Sequence, residues 1–257
     1  MRALLRWWRS RQWGADRPRF RLVHDGPHLF IADPRTFPDR AIIARRVWEP
    51  RQRRMLRDLA HAALSAGGTY VFVDVGAYAG SYSMDAATDP RCARVVAFEP
   101  DLRNRRHLEA NLFLNGLSDR VEVRAAAISQ LCGTATVHKS GDHPTGNTGG
   151  CGIIDPAAYP VSVAQLVETV TLDSVLPLAG QVVVLKIDVE GHEREVLNGM
   201  RRLLAANRCV VQVEVLIDAH VAAVEAIFAA AGYRLEHEYQ GDRVYVRSAP
   251  EPTAPAA

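Results

Sequence analysis

The chain is almost without lysine. Only Lys139 and Lys186 occur in 257 residues, while arginine is abundant. Cysteine is sparse too. Cys92, Cys132, Cys151 and Cys209 include no Cys-x-x-Cys pair and no zinc spacing, which excludes a disulfide framework or a zinc ribbon. Scattered cysteines of this kind are small buried hydrophobes of a reducing compartment, so a cytoplasmic protein is expected. No apolar run reaches the ~20 residues that span a bilayer. The charged N-terminus is followed by no apolar stretch of signal-peptide type. Neither the Gly-x-Gly-x-x-Gly of dinucleotide binders nor the Gly-Lys-Ser/Thr of phosphate loops is present. A net charge of +2 argues against a general binder of polyanions. No internal repeat is visible.

The charge that is there is uneven. Residues 1–57 carry a net charge of about +10 by formal count, so the remainder is acidic. Residues 1–20 are arginine-rich, with Trp7, Trp8 and Trp13. They read either as a loosely packed arm or as a short amphipathic helix making peripheral contact with an anionic membrane. Arg45, Arg46, Arg51, Arg53 and Arg54 either face an anionic substrate or, the preferred reading, solvate a helix.

At this length one α/β domain with additions is expected. Residues 21–31 read as a hairpin about Asp25-Gly26-Pro27. Residues 51–65 are helical in pattern, with Met55, Leu59, Ala62 and Ala63 on one side. Strands at 70–75, 94–99, 120–125, 182–188 and 209–215 alternate with helices after Gly80, at 102–115, at 193–206 and at 219–230. Residues 134–138 suggest an added strand, and 233–239 with 243–247 a closing hairpin. The alternation predicts a doubly wound, mostly parallel seven-stranded sheet with an antiparallel C-terminal hairpin. Residues 139–160, rich in Gly, Pro, Asp, Asn and Thr, read as a loop that folds over a substrate or as a disordered insertion. The division expected is an arm and hairpin at 1–46, a catalytic domain at 47–248 and a disordered tail at 249–257.

Two segments carry the chemistry. Tyr70 to Gly80 is an apolar strand that ends in Asp74 and a glycine-spaced turn. Gly76 permits positive φ, and Gly80 permits close approach of a ligand. An acid before a turn that lacks a phosphate cradle suits a ligand with a cationic amino group, such as S-adenosylmethionine. Arg94 to Pro100 ends in Glu99, about 20 residues beyond the turn, where an acid reaches a ribose hydroxyl pair. The second segment, Leu185 to Glu193, puts Lys186, Asp188, Glu190 and His192 at the end of the apolar run 182–185. Charge clustered where a buried strand ends marks a site.

Val73-Asp74-Val75-Gly76-Ala77 with Gly80, Ala97-Phe98-Glu99-Pro100, and Leu185 to Glu193 together resemble the FkbM family of S-adenosylmethionine-dependent methyltransferases. Trp48-Glu49-Pro50, Thr171-Leu172-Asp173 and Asn147-Thr148-Gly149-Gly150 are similar to that family's pattern as well. The resemblance implies the class I (Rossmann-like) methyltransferase fold and methyl transfer to a hydroxyl of a small-molecule or glycan acceptor. By matching motif it implies that Asp74, Gly76, Ala77 and Gly80 line the methionine part of the cofactor, that Glu99 binds the ribose, and that Ala126 and Ala127 lie near the adenine. Tyr78 stands where the family commonly has Asn, so it either covers the cofactor or narrows the pocket.

An alcohol is a weak nucleophile, so a group that takes or polarises its proton helps. Lys186, Asp188 and Glu190 share strand parity. Asp188 is expected to orient the acceptor or accept its proton, with pairing to Lys186 or contact with the cofactor as alternatives. His192, at a helix start, is either a neutral base or a packing residue. Asp188, Glu190 and Glu214 form the acid set that Mg²⁺ would use, a reading not favoured because no spacing demands it. Glu193 and Glu195 read as solvated helix charges. Competing readings are a cofactor-binding or membrane-associated module without turnover and a nucleic-acid methyltransferase. The last lacks the Asn/Asp-Pro-Pro-Tyr/Phe run, and no nucleic-acid partner is favoured. The sequence gives no oligomeric state.

Overall fold

The computed structural model describes residues 20–138, 152–153, 164–215 and 217–247. The arm, the tail, Lys139, Cys151 and the Asn147–Gly150 stretch fall outside these residues.

β1 (Arg21–Asp25) and β2 (His28–Ala32) form the expected hairpin. A helix follows that the apolar pattern did not announce, α1 (Phe37–Arg45). Its signal lay in its cap. The Thr36 hydroxyl accepts from the Asp39 backbone N–H, with a proline in the first turn, a pattern that opens helices even where apolar periodicity is weak. α2 (Pro50–Ala63) is turned from the expected face. It buries Gln52, Arg53, Leu56, Ala60 and Ala63, while Ala62 is exposed. The reason is electrostatic. The Arg53 guanidinium bonds Asp25 at 2.9 Å and Asp85 at 3.0 Å. A buried charge is tolerable when fully paired, so Arg53 neither solvates the helix nor meets a substrate.

β3 (Tyr70–Val75) is buried at every position. α3 (Ser81–Thr88), β4 (Cys92–Phe98), α4 (Leu102–Leu114) and β5 (Val121–Arg124) continue the alternation. β6 (Ala126–Ile128) and β7 (Gly133–His138) leave the main sheet to flank β8 (Ala164–Val170), a strand not anticipated. After the short α5 (Leu172–Val175) comes β9 (Val182–Ile187). The single helix expected at 193–206 is two, α6 (Glu193–Asn198) and α7 (Arg201–Ala206). The break falls at Gly199, where a Cβ would lie 2.1 Å from the Ser129 carbonyl oxygen. β10 (Arg208–Glu214), α8 (Asp218–Ala230), β11 (Tyr233–Tyr239) and β12 (Asp242–Arg247) complete the chain.

The main sheet has the order β11-β12-β10-β9-β3-β4-β5, with β12 antiparallel to both neighbours and the five strands from β10 to β5 parallel. Alternate residues feed two cores. Tyr70, Phe72 and Val184 join Leu56, Met84, Leu108 and the hairpin residues Val23 and Phe30 on one face. Val73, Leu185 and Ile187 join Val196, Leu204 and Phe228 on the other. Helices on both faces of a parallel sheet make the doubly wound α/β architecture. The first core runs without a break across residue 47 and takes in the hairpin.

Candidate active site

The same alternation continues past the apolar residues. Asp74 of β3 lies opposite Lys186 of β9, and Lys186 lies opposite Gln212 of β10. All three are buried. They form a polar row on the α2 side of the sheet, just where the strands end. Above it opens a cavity of about 730 Å³, within the ~300–1,000 Å³ of small-molecule sites.

Sheet order arranges the wall. Lys186 and Asp188 come from β9, Asp74, Gly76 and Ala77 from β3, Glu99 from the end of β4, and Ala126 and Ala127 from β6. The β3 and β9 tips touch. Asp188 N–H donates to the Val75 carbonyl at 2.9 Å. A Cβ on Gly76, whose φ is 82°, would sit 1.9 Å from the Asp188 oxygen. Only glycine fits between the two tips. Gly80 behaves differently from expectation. It does not line the cavity; it caps α3 at φ 91° with a side chain's space taken by Leu108.

Lys186 is the cation of the charged end. Its ammonium lies 3.1 Å from an Asp188 oxygen and 5.3 Å from the Tyr82 ring centroid. Burial alone would push its pKa down, but Asp188, Asp242, Glu49 and Glu214 together hold it above the usual lysine value. Acids outnumber it. Burial raises Asp74 to about 6, against the hydroxyl of Ser83 that donates to it at 2.6 Å. Burial and then Asp188 raise Glu190 to about 7. Glu214 is raised by burial and by the neighbouring Asp188. Among the described residues, no three or more His, Cys, Asp or Glu side chains gather as metal ligands. Of the candidate set Asp188, Glu190 and Glu214, Asp188 has the Lys186 ammonium 3.1 Å away.

Glu99 is buried, and backbone rather than a cation satisfies it. Tyr78 N–H donates to one carboxylate oxygen and Asp101 N–H to the other, each at 2.9 Å. Burial still raises its pKa to about 8. Each oxygen keeps a lone pair for a further donor. His192 faces the cavity, with Nε2 3.0 Å from the Ser129 hydroxyl. Burial lowers its pKa, against the neighbouring Glu195 and Glu193 carboxylates, which raise it. Glu193 is not solvated as expected; it is buried and accepts from Gly191 N–H at 2.7 Å. Gly152 and Ile153, the described residues of the stretch 139–160, line the cavity, and a Cβ on Gly152 would meet the Glu190 carbonyl at 2.8 Å.

Motif reading missed a network behind Lys186. Gln212 Nε2 donates to Asp242 at 2.8 Å and to the Tyr82 hydroxyl at 2.9 Å, and that hydroxyl donates to Glu49 at 2.7 Å. Two signals were in the sequence. Gln212 is the one polar residue inside an apolar strand, and Glu49 sits in the Trp48-Glu49-Pro50 motif. The rim carries Phe37 edge-on to Trp48, centroids 6.2 Å apart, and Arg51 4.4 Å over the Tyr239 ring.

The model of the methyltransferase FkbM domain matches residues 74–235, more than half of the chain. The chain belongs to the FkbM family of S-adenosylmethionine-dependent methyltransferases. No curated protein matches it by sequence. Among solved structures, it is similar to the FkbM methyltransferase of Methylobacillus flagellatus KT at 17% identity and a TM-score of 0.49, over 69% of this chain and 43% of that one. A precorrin 8w decarboxylase of Methanobacterium thermoautotrophicum aligns at 16% identity and a TM-score of 0.47, over 85% and 97% of the two chains. A SAM-dependent O-methyltransferase of Thermotoga maritima aligns at 9% and 0.43, over 77% and 66%. This FkbM chain thus spans less than half the length of the Methylobacillus protein. The match begins at Asp74, so Glu49, Trp48 and α1 stand outside the matched residues although they line the same cavity.

Proposed function

We propose that the chain transfers a methyl group from S-adenosylmethionine to a hydroxyl oxygen of a sugar, glycan or secondary metabolite. The observation that carries this reading is the order of groups along one cavity wall in a chain of this family. An acid-rich end, the buried Glu99 carboxylate and an apolar end line the cavity from β9, β3, β4 and the separate strand β6. That order fits the cofactor. Excess acid at Asp74 and Asp188 suits its cationic amino and sulfonium groups, Glu99 suits the ribose hydroxyls, and Ala126, Ala127 and Ile128 suit a flat heterocycle.

When bound, the cofactor supplies a methyl group on a sulfonium sulfur; the S–C bond breaks as the O–C bond forms. The chain's share is positioning and proton traffic. Asp188, 34% exposed at its side chain and facing the cavity beside Lys186, takes the acceptor's hydroxyl proton. The Lys186 ammonium fixes one Asp188 oxygen at 3.1 Å, and the neighbouring Glu214 carboxyl shares a side-chain hydrogen bond with Asp188. His192, kept neutral by burial, is a second base within the same wall. The aromatic and arginine rim at Phe37, Trp48, Arg51 and Tyr239 covers the face of a ring-shaped acceptor.

Calorimetry with S-adenosylmethionine, followed by methyl transfer from labelled cofactor to a panel of glycans and macrolides, tests the reading. Binding with transfer to one class of acceptor supports it. Binding without any transfer favours a module without turnover, transfer to nucleic acid favours the other enzyme class, and no binding removes the cofactor assignment.

A further inference from the structure

The turn between β3 and α3 takes positive φ at alternate positions: Gly76 at 82°, Tyr78 at 49° and Gly80 at 91°. Two are glycines, as such a turn demands. The third is a tyrosine, a bulky residue in a region that its side chain disfavours. Strain of that kind persists only where surrounding contacts impose it. Here those contacts come from the start of α1. The Tyr78 hydroxyl donates to Asp39 Oδ1 at 3.0 Å and lies 3.1 Å from Thr36 Oγ1. Asp39 and Thr36 are wholly buried, and Asp39 is itself tied to the Asp33 N–H at 2.6 Å. The ring meets His107 edge-on at 5.9 Å and forms part of the cavity wall. At the other end of the same residue, the Tyr78 backbone N–H donates to Glu99 at 2.9 Å.

One residue therefore links a buried anchor on α1, a strained turn and the carboxylate assigned to the ribose. We infer that Tyr78 is a positioning residue for the nucleoside end of the cofactor: its hydroxyl, held by Asp39 and Thr36, keeps the turn in the conformation that aims its N–H at Glu99. Cofactor affinity is then set partly by α1, a segment outside the residues that match the family model. The inference rests on the cofactor assignment above.

The test separates an anchor from mere packing. Asparagine and glycine accept positive φ without help, whereas phenylalanine must carry the strain with no anchor. Calorimetry with S-adenosylhomocysteine on Tyr78→Phe is expected to show affinity about tenfold weaker, a loss in the range of one hydrogen bond to a charged group. Tyr78→Asn, which also lacks the hydroxyl, is expected to recover to within about threefold of wild type. In a Glu99→Ala background, Tyr78→Phe is expected to add little, because the two act through one contact. Should Tyr78→Phe fail to fold, Asp39→Asn reads the same anchor: it lowers affinity with Tyr78 present and has no effect in Tyr78→Asn. Equal losses in Tyr78→Phe and Tyr78→Asn would mean that the tyrosine only packs α1, which overturns the inference, as does wild-type affinity in Tyr78→Phe. A wild-type chain that binds no S-adenosylhomocysteine overturns the cofactor assignment itself.

Discussion

The two ends of the cavity handle buried charge by opposite means. At Glu99, two neighbouring backbone N–H groups satisfy the carboxylate, from Tyr78 and Asp101. At Lys186, the balance depends on carboxyl groups from α2's cap, β9's end, β10 and β12: Glu49, Asp188, Glu214 and Asp242. The first arrangement is local and belongs to strand tips. The second is assembled from segments up to 190 positions apart, as the Gln52 to Asp242 hydrogen bond records. A locally satisfied group can be removed with a local consequence. A shared cation cannot, because Asp188 then loses its ion pair and Glu49, Glu214 and Asp242 lose the positive charge they share.

The sharpest way to break that contrast is Lys186→Met. Removing one partner of a buried ion pair costs ~3–5 kcal/mol, and urea unfolding should show a loss of that size together with loss of methyl transfer. A loss under ~1 kcal/mol would mean that protons alone balance the acids. Asp188→Asn probes the same end without removing the cation. Turnover on the acceptor found in the panel should fall by ~10²–10⁴-fold, the range of a lost acid–base group, while S-adenosylhomocysteine affinity stays within about threefold. A comparable loss in affinity would move Asp188 from the acceptor to the cofactor.

Glu99→Ala should act locally. Affinity for S-adenosylhomocysteine should drop by ~1–3 kcal/mol with a stability loss smaller than that of Lys186→Met, which calorimetry and thermal melts read together. The pKa of Glu99, raised by burial from an ordinary 4.5 to about 8, gives a pH dependence of known sign. The folded chain holds this proton where the unfolded chain has lost it, so Glu99's contribution to stability is fully present at low pH. It declines as pH rises through the window from about 4.5 to about 8. Ribose hydroxyls donate best to the carboxylate, so cofactor affinity should rise with pH up to about 8. Glu99→Gln should flatten both profiles relative to wild type; a profile equal to wild type would assign the titration to another group. The smallest effect is expected at Arg94→Ala. Its pair with Glu122 is exposed on both sides, and such pairs contribute ~0–1 kcal/mol.

The same contrast explains what could be read in the sequence. The strand tips were legible because each is one contiguous motif: Asp74 with Gly76, Glu99 before Pro100, Lys186 to His192. The mostly parallel sheet and its closing antiparallel hairpin then followed from strand–helix alternation. What escaped was made legible only by folding. Glu49, Tyr82, Gln212 and Asp242 meet through tertiary contacts and form no motif together. Arg53 looked like a solvent-facing arginine because its partners Asp25 and Asp85 lie 28 and 32 positions away. α1 hid because its apolar pattern is weak and its cap pattern, Thr36 to Asp39, was the only cue. Gly80 was given a ligand's reason for being glycine when Leu108 supplies a packing one.

The central claim is that the β3, β4 and β9 tips hold one cofactor, ribose at Glu99 and sulfur toward Asp188. A crystal structure of the chain soaked with S-adenosylhomocysteine tests it most directly. The account predicts both ribose hydroxyls within ~3 Å of the Glu99 carboxylate oxygens and the sulfur facing the Asp188–Lys186 pair. A nucleoside bound with its ribose away from Glu99, or its sulfur turned from Asp188, would contradict it.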